Sequence, residues 1–567
     1  MTHTVRLPEG WVEVPIEDVL VRLEDGRLIH QGWSPQCEKG PSQSDDAWGV
    51  LKTTAIQDGE FQPEHNKLLP SEMEPRPLIE VHEGDILLTC AGPRARCGVP
   101  CLVRVTRPRL MLSGKMYRFR TSEEHFSTRY LESFLRSKDT QIAIDRMKTG
   151  ISDSGLNLTQ KRFRQLTVPV APRPEQERII EVLESYLTRL DGAVASLERV
   201  QHNLERYRAS VLKAAVKGRL VPTEAELARK EGRSYEPASE LLNRILDERR
   251  KKWIENAAEK ARAKAEEKAR KAGQSWIHAD DVKTLEKERA KAVKKYKEPA
   301  APDTTDLPDL PEGWCWATIE SLLREPLRNG HSAKATSDPD GIRTLTLTAV
   351  TEGDFSTQNT KITSADPQKV ANLWLEPGDL LVERSNTVEL VGTTALFDGP
   401  SGFAIFPDLM IRVRLLDGIL ARWIENVLRS QRVRTHFQLT AQGIAGTMPK
   451  ISQGVVGTLP VPVPPWAEQH RIVDALDLHE LPTGRIAAES ARAIARSRSL
   501  RQSILKWAFE GKLVEHDPDD EPASVLLERI KAEREAMEPR KKRRSNKKKN
   551  EPTKHDEQLD LLGGRDR

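Results

Sequence analysis

The strongest constraint on this chain is that it repeats itself once, in order, at an offset of about 300 residues. Leu7-Pro8-Glu9-Gly10-Trp11 recurs letter for letter as Leu310-Pro311-Glu312-Gly313-Trp314. WGVLKTTAIQDGEF, ending at Phe61, has an echo in IRTLTLTAVTEGDF, ending at Phe355. GDILLTCAGPRARCG, from Gly84 to Gly98, matches GDLLVERSNTVELVG, from Gly378 to Gly392, and Gly150-Ile151 matches Gly443-Ile444. PVAPRPEQERI, ending at Ile179, returns as PVPPWAEQHRI, ending at Ile472, and VLKAAVKGRLV, ending at Val221, returns as ILKWAFEGKLV, ending at Val514. Last, Glu236-Pro237-Ala238-Ser239 returns as Glu521-Pro522-Ala523-Ser524. Chance produces one such match, not seven in sequence. The period far exceeds that of a solenoid, so the chain is a tandem of two whole modules.

Each module opens with short strand patterns bounded by Gly, Asp and Pro, the signature of a mixed α/β globule. The apolar runs after Asp85 and Asp379 read as buried strands. Beyond Pro169–Pro174 the period changes: Ile179, Leu183, Tyr186, Leu190, Ala193, Leu197, Val200, Leu204, Tyr207 and Val211 alternate steps of four and three. That is a heptad seam on a helix of roughly 50 Å. Ile472, Leu476, Ile486, Ala493, Leu500 and Ile504 repeat the register, with Pro482 and Gly484 predicting a kink or break. The expected fold is mixed α/β: two globular domains separated by long antiparallel coiled-coil helices, a pseudo-two-fold internal duplication. Residues 1–174 and 310–466 are the expected globules, and 175–238 and 467–537 the helices. Residues 239–298 are expected as a charged helical extension, 299–309 as a linker and 538–567 as a basic disordered tail.

Net charge is only +4 over 567 residues, so affinity for nucleic acid has to come from local Lys/Arg patches. The absence of a leader pattern and of any long apolar run predicts a soluble, cytoplasmic protein without membrane contact. Five cysteines do not make a disulfide framework, and Cys90, Cys97 and Cys101 are too loosely spaced for structural zinc, so free buried thiols are expected. Catalytic motifs are missing. Ser113-Gly114-Lys115-Met116 lacks the upstream Gly and the hydroxyl of a phosphate loop, and Asp379 with Glu383, the nearest approach to a metal-binding carboxylate pair, runs into Arg384. The chain reads as a binder that performs no chemistry.

Two unlike globules on a stiff helical pair suit a duplex that presents reading positions one turn, about 34 Å, apart. In the doubled order of LPEGW, GDILL-type strands, EQxRI helix starts and LKxAxxGxLV closures, the chain resembles the specificity subunit of type I restriction–modification systems. The resemblance covers essentially all of the chain but the charged 240–297 insertion and the tail. It implies a DNA sequence-recognition subunit for an asymmetric bipartite target in double-stranded DNA. Each target-recognition domain would read one half, while the helices set the gap and dock two methyltransferase subunits. It also implies ATP-dependent restriction and translocase subunits in the full complex. The chain itself would carry no cofactor, with S-adenosylmethionine, ATP and Mg in partner subunits. A standalone duplicated DNA-binding factor and a coiled-coil scaffold with a nucleic-acid-binding tail are the alternatives.

Base edges are read by Arg, Lys, Asn and Gln, and phosphates are held by any well-placed donor. The loops after the duplicated Gly-Asp strands offer Arg94 and Arg96 in one module and Arg384, Ser385 and Asn386 in the other. A second candidate loop holds Arg328, Asn329, His331 and Lys334, answered by His30 and Gln31. The third set is Lys148, Ser152 and Asn157, answered by Gln442, Thr447 and Lys450. Ordinary solvated turns are the competing explanation for each. Trp11 and Trp314 are expected to anchor the chain to the core and not to stack on bases.

Overall fold

The structure, a computed structural model, describes residues 7–42, 44–273, 275, 277–443 and 448–537. The expected basic tail, 538–567, therefore lies outside the described residues. The chain divides into two compact units, one of residues 1–195 with 493–567 and one of residues 196–492.

In the first unit an antiparallel sheet runs in the order His30–Gln31, Met116–Phe119, Ile86–Thr89, Pro100–Leu102. Strand alternation sends Ile86 and Leu88 into one apolar core and Leu87 into a second, which is why the run after Gly84-Asp85 is apolar without a break. Val12–Pro15 pairs with Thr167–Val170, tying the entry of the module to its exit. The second unit repeats this plan. Its sheet runs Arg328–Asn329, Met410–Val413, Leu380–Glu383, Thr394–Leu396, and Cys315–Thr318 pairs with Pro460–Val463. Leu380 and Val382 face one core and Leu381 the other.

The letters that the modules share are structural devices. Asp85 and Asp379 are buried, each accepting an amide hydrogen bond three residues back, from His82 at 2.7 Å and Glu376 at 2.9 Å. Each also binds an arginine of the neighbouring strand's exit, Arg120 at 2.5 Å and Arg414 at 2.6 Å. Trp11 and Trp314 are buried, and the Trp314 indole donates to Glu468 Oε1 at 2.9 Å. The Gln of each EQxRI start splices helix to globule. Gln176 accepts from the Ser127 amide (2.9 Å) and donates to Ala171 O (2.8 Å), while Gln469 accepts from Leu420 (2.8 Å) and donates to Pro464 O (3.0 Å).

Two helices of 44 residues, Arg173–Val216 and Trp466–Phe509, follow the globules, each about 66 Å long and so longer than the heptads alone suggested. In the second unit Val211, Leu212 and Val216 share a core with Ile472, Val473 and Leu476, while Tyr207 Oη meets His479 Nδ1 at 2.9 Å, so the helices run antiparallel. In the first unit Ile179, Ile180 and Leu183 share a core with Ile504, Leu505 and Phe509. The predicted seam is not apolar along its whole length: Tyr186, Val200, Tyr207, Ile486 and Leu500 are exposed. Seam residues are covered where globule and helix ends meet, and elsewhere the helices touch through long polar side chains such as Arg208 to Thr483 (3.0 Å).

The predicted break at Pro482 does not occur; the helix runs through it. Proline removes one amide donor from this turn. Leu478, whose carbonyl loses that donor, sits in an exposed stretch, and the Thr483 hydroxyl bonds His479 O and Glu480 O at 3.0 Å. The Thr483 hydroxyl adds bonds to the two carbonyls after that of Leu478, which itself lies on the solvent-exposed side of the helix.

The 239–298 region forms two helices, Ala238–Lys271 and His278–Lys295, packed together as a hairpin. Leu241 and Ile245 root it in the second unit's core. Removing the carboxylate of Asp379 would take the buried counter-charge from Arg414 and from the buried Arg412 beside it, leaving them the partly exposed Glu325 and Glu376. Asp379→Ala is expected to cost about 3–5 kcal/mol in urea unfolding.

Candidate DNA interface

In the first unit Thr89 pairs with Met116 and Gln31 with Tyr117, so one end of the sheet gathers the segments that leave or enter these strands. Ala91–Gly92 pairs with Leu156–Asn157, joining the loop after the Gly-Asp strand to the loop before the module's exit. The two loops are laced by charge. Arg94 donates its amide to Asp153 O (2.9 Å) and bridges Asp145 (2.6 Å) and Asp153 (3.0 Å). Lys148 reaches Asp145 (2.9 Å) and Arg94 O (3.0 Å), with a side chain only 6% exposed. Its hydrogen bond, with the Arg94 charge, holds the Asp145 carboxyl below the usual range.

Arg96 turns back onto the globule, donating to Ile56 O (2.7 Å) and Gln57 (3.2 Å). Arg96 and Lys148 are thus committed to the protein itself, because both lie within reach of its own acceptors. Ser152 and Asn157 are exposed, as is Lys115, whose carbonyl accepts from the Cys90 amide at 2.8 Å. His30, the residue answering the second candidate loop, is buried between Asp25 (2.8 Å) and Arg118 (3.1 Å) and faces no solvent.

In the second unit all three candidate loops converge on the equivalent sheet end. The Arg384 amide donates to Leu409 O (2.7 Å), its carbonyl accepts from Ile451 (2.9 Å), and Ser385 bridges to Lys450. His331 N donates to Phe406 O (2.9 Å), which brings the 328–334 loop to the same strand exit. Gln442 and Lys450 exchange backbone hydrogen bonds of 2.9 Å and expose their side chains; Thr447 lies outside the described residues. Lys334 is exposed and His331 half-buried. Among the described residues the Arg384 guanidinium has no hydrogen bond or ion pair, and its Nε is buried.

Other candidates are engaged internally. Ser385 is buried, Asn329 Oδ1 accepts from Gln453 (3.0 Å), and Arg328 Nε lies 3.6 Å from Glu325. The Asn386 amide donates to Glu383 Oε2 (2.6 Å) and accepts from the Thr387 amide (2.8 Å). Sequence reasoning passed over Lys115, Gln453 and Thr351. Aligning the second module's strand exit at Leu409 with the first would have flagged Lys115; nothing in the sequence signals the other two.

Asp379 and Glu383 begin and end one strand stretch, about 13 Å apart, and answer to different partners. Burial pushes the Glu383 carboxyl up from its usual value, while hydrogen bonds from Thr351 (2.7 Å) and Asn386 oppose the shift. Cys90 and Cys97 lie in one core and Cys101 in the other, all free thiols, with burial pushing Cys90 up to about 12. Among the described residues no group of three His, Cys, Asp or Glu is placed to hold a metal ion.

No protein-family model matches the chain. It is 23% identical to the EcoKI specificity subunit of Escherichia coli strain K12 over 94% of this chain and 97% of that one. Against the StySPI specificity subunit of Salmonella potsdam it is 22% identical over 93% and 96%. The EcoEI specificity subunit of Escherichia coli is 37% identical, but the match spans only 34% of this chain and about a third (32%) of that relative. A chain solved in work on the complex assembly and conformational transition of the type I R-M system has the same fold. Its TM-score is 0.55 at 16% identity, over 90% of this chain and 100% of that one.

Because its folded value is raised, Glu383 keeps its proton in the folded state to higher pH than in the unfolded one. Its contribution to stability is full below the ordinary carboxylate range and is lost as pH rises through the raised value. Urea unfolding between about pH 4 and 8 is expected to show a fall in stability that Glu383→Gln largely removes.

Proposed function

We propose, from its likeness to specificity subunits of type I restriction–modification systems, that this chain is the DNA-reading subunit of such a system. Each unit reads one half of an asymmetric bipartite duplex target, and the long helices set the gap and dock two methyltransferase subunits. The chain performs no chemistry. S-adenosylmethionine, ATP and Mg are used by the methyltransferase and restriction/translocase partners, in the cytoplasm. No helix among the described residues is long and apolar enough to cross a membrane.

One observation carries the reading: two sheets of the same strand order gather unmatched polar side chains at the same end. In backbone register Cys90, Thr149 and Asn157 stand where the other unit presents Arg384, Gln442 and Lys450, with Arg94 and Ser152 farther along the same two loops. A shared framework with different side chains on one rim is what two readers of different half-sites require. Apolar side chains left bare on the second helix, Leu478 at 72% and Leu481 at 67% exposed, support a docked partner there.

The test is a binding selection with the chain assembled with its methyltransferase subunits. A gapped, asymmetric target is expected, and a single uninterrupted site would overturn the reading. Arg384→Ala should relax discrimination in one half-site only, by about 1–3 kcal/mol for each bidentate pairing with a base that it removes. Leu478→Asp with Leu481→Asp should weaken methyltransferase association about tenfold or more in a pull-down titration, with unfolding stability unchanged.

A further inference from the structure

The hairpin of Ala238–Lys271 and His278–Lys295 is used by neither reading rim, and its charge is unlike that of the rest of the chain. Residues 238–295 hold 17 Lys/Arg and 11 Asp/Glu, a surplus of six, whereas the whole chain is only +4; all other residues together are net −2. Both helices are ordered by their acids. Arg262 binds Glu259 (3.0 Å), Glu266 (3.2 Å) and Asp281 (2.9 Å), and Arg289 binds Glu255 (2.5 Å), so carboxylates are spent on arginines inside the hairpin.

The lysines are left over, and they are patterned. Lys260, Lys264 and Lys268 follow one another at steps of four on the first helix, and Lys283, Lys287, Lys291 and Lys295 do so on the second. Apart from Lys291, which pairs with Glu288 at 2.6 Å, these lysines are exposed and without an ion pair among the described residues. Four residues of helix advance about 6 Å, so each stripe presents a cation at about that interval along its helix.

We propose that this hairpin is a sequence-independent clamp for the phosphate backbone of duplex DNA flanking the target. The inference rests on the DNA-reading function above. A duplex carries a phosphate about every 3.4 Å of axis on each strand, and stripes of lysine without partners suit such a polyanion. A protein partner fits less well, since the cores of protein interfaces are depleted in lysine. The need is also visible elsewhere: Arg96 and Lys148, two of the rim's cations, are consumed by the protein itself. The buried root at Leu241 and Ile245, and the hydrogen bond from Ala238 N to Gly313 O (2.8 Å), fix the clamp to the second unit's globule.

The test compares the assembled methyltransferase complex with a form carrying Lys260→Gln, Lys264→Gln, Lys268→Gln, Lys283→Gln, Lys287→Gln and Lys295→Gln. These exposed positions tolerate glutamine, which keeps good helix propensity. Binding is measured across a salt series on target and scrambled duplexes, each with long flanks or with none. On long flanks the variant's slope of log K against log salt should be shallower by about 0.9 for each phosphate that is no longer neutralised, several units in all. On target without flanks the two forms should bind alike, and the preference for target over scrambled sequence should not change. Equal slopes for both forms on long flanks would overturn the clamp, as would a variant that no longer assembles with methyltransferase subunits. A wild-type complex that fails to distinguish target from scrambled duplex would instead overturn the reading function beneath it.

Discussion

In each unit the carbonyl of a positive-φ glycine, Gly10 or Gly313, accepts a hydrogen bond from the amide that begins a helix distant in sequence, Ala523 (2.9 Å) or Ala238 (2.8 Å). Each glycine belongs to the LPEGW turn that opens one module, and each amide to the EPAS segment that closes the other. The chain therefore completes each unit with a segment from the other module: the first unit joins residues 1–195 to 493–567, and the second runs unbroken from 196 to 492 across the boundary between the modules. The glycines allow it. Gly218 and Gly511, both at positive φ, end the long helices, and a Cβ there would run into Pro311 or Pro8 of the facing turn.

This crossed closure explains why particular letters repeat. A residue buried against both its own globule and the other module's trailing segment has few permitted replacements. Trp314 shows it: the indole bonds Glu468, whose other oxygen takes the Glu224 amide at 2.8 Å, so a turn, a helix start and the trailing segment meet at one carboxylate. In the first unit Glu175 meets His516 at 3.2 Å instead. The plan is retained while its details drift. On the rims no such double constraint holds, and the matched sequence stops at the strand ends.

The duplication, the α/β globules, the buried Gly-Asp strands, the anchoring tryptophans and the long antiparallel helices were all readable from residue patterns, because each depends on periodicity or on a repeated motif. The candidate loops were readable as places, since they follow recognisable strands. Which of their side chains point outward was not. Arg94 and Arg96 are two residues apart in one turn, yet the first laces loop to loop and the second reaches the 53–57 turn. Asn386 looked like a reader and is turned inward by Glu383, a carboxylate that in sequence resembled half of a metal site.

By itself the sequence determined that one plan is used twice, that a buried strand follows each Gly-Asp turn, and that a long helix follows each α/β pattern. These follow from local propensity and periodicity, which act over a few turns of chain. Only the tertiary structure decided that the helix survives Pro482, that the heptad seam is open over part of its length, and which polar groups on the rims keep free donors. Those outcomes depend on distances between segments far apart in sequence, where an acceptor such as Asp145 or Ile56 O either comes within about 3 Å or does not.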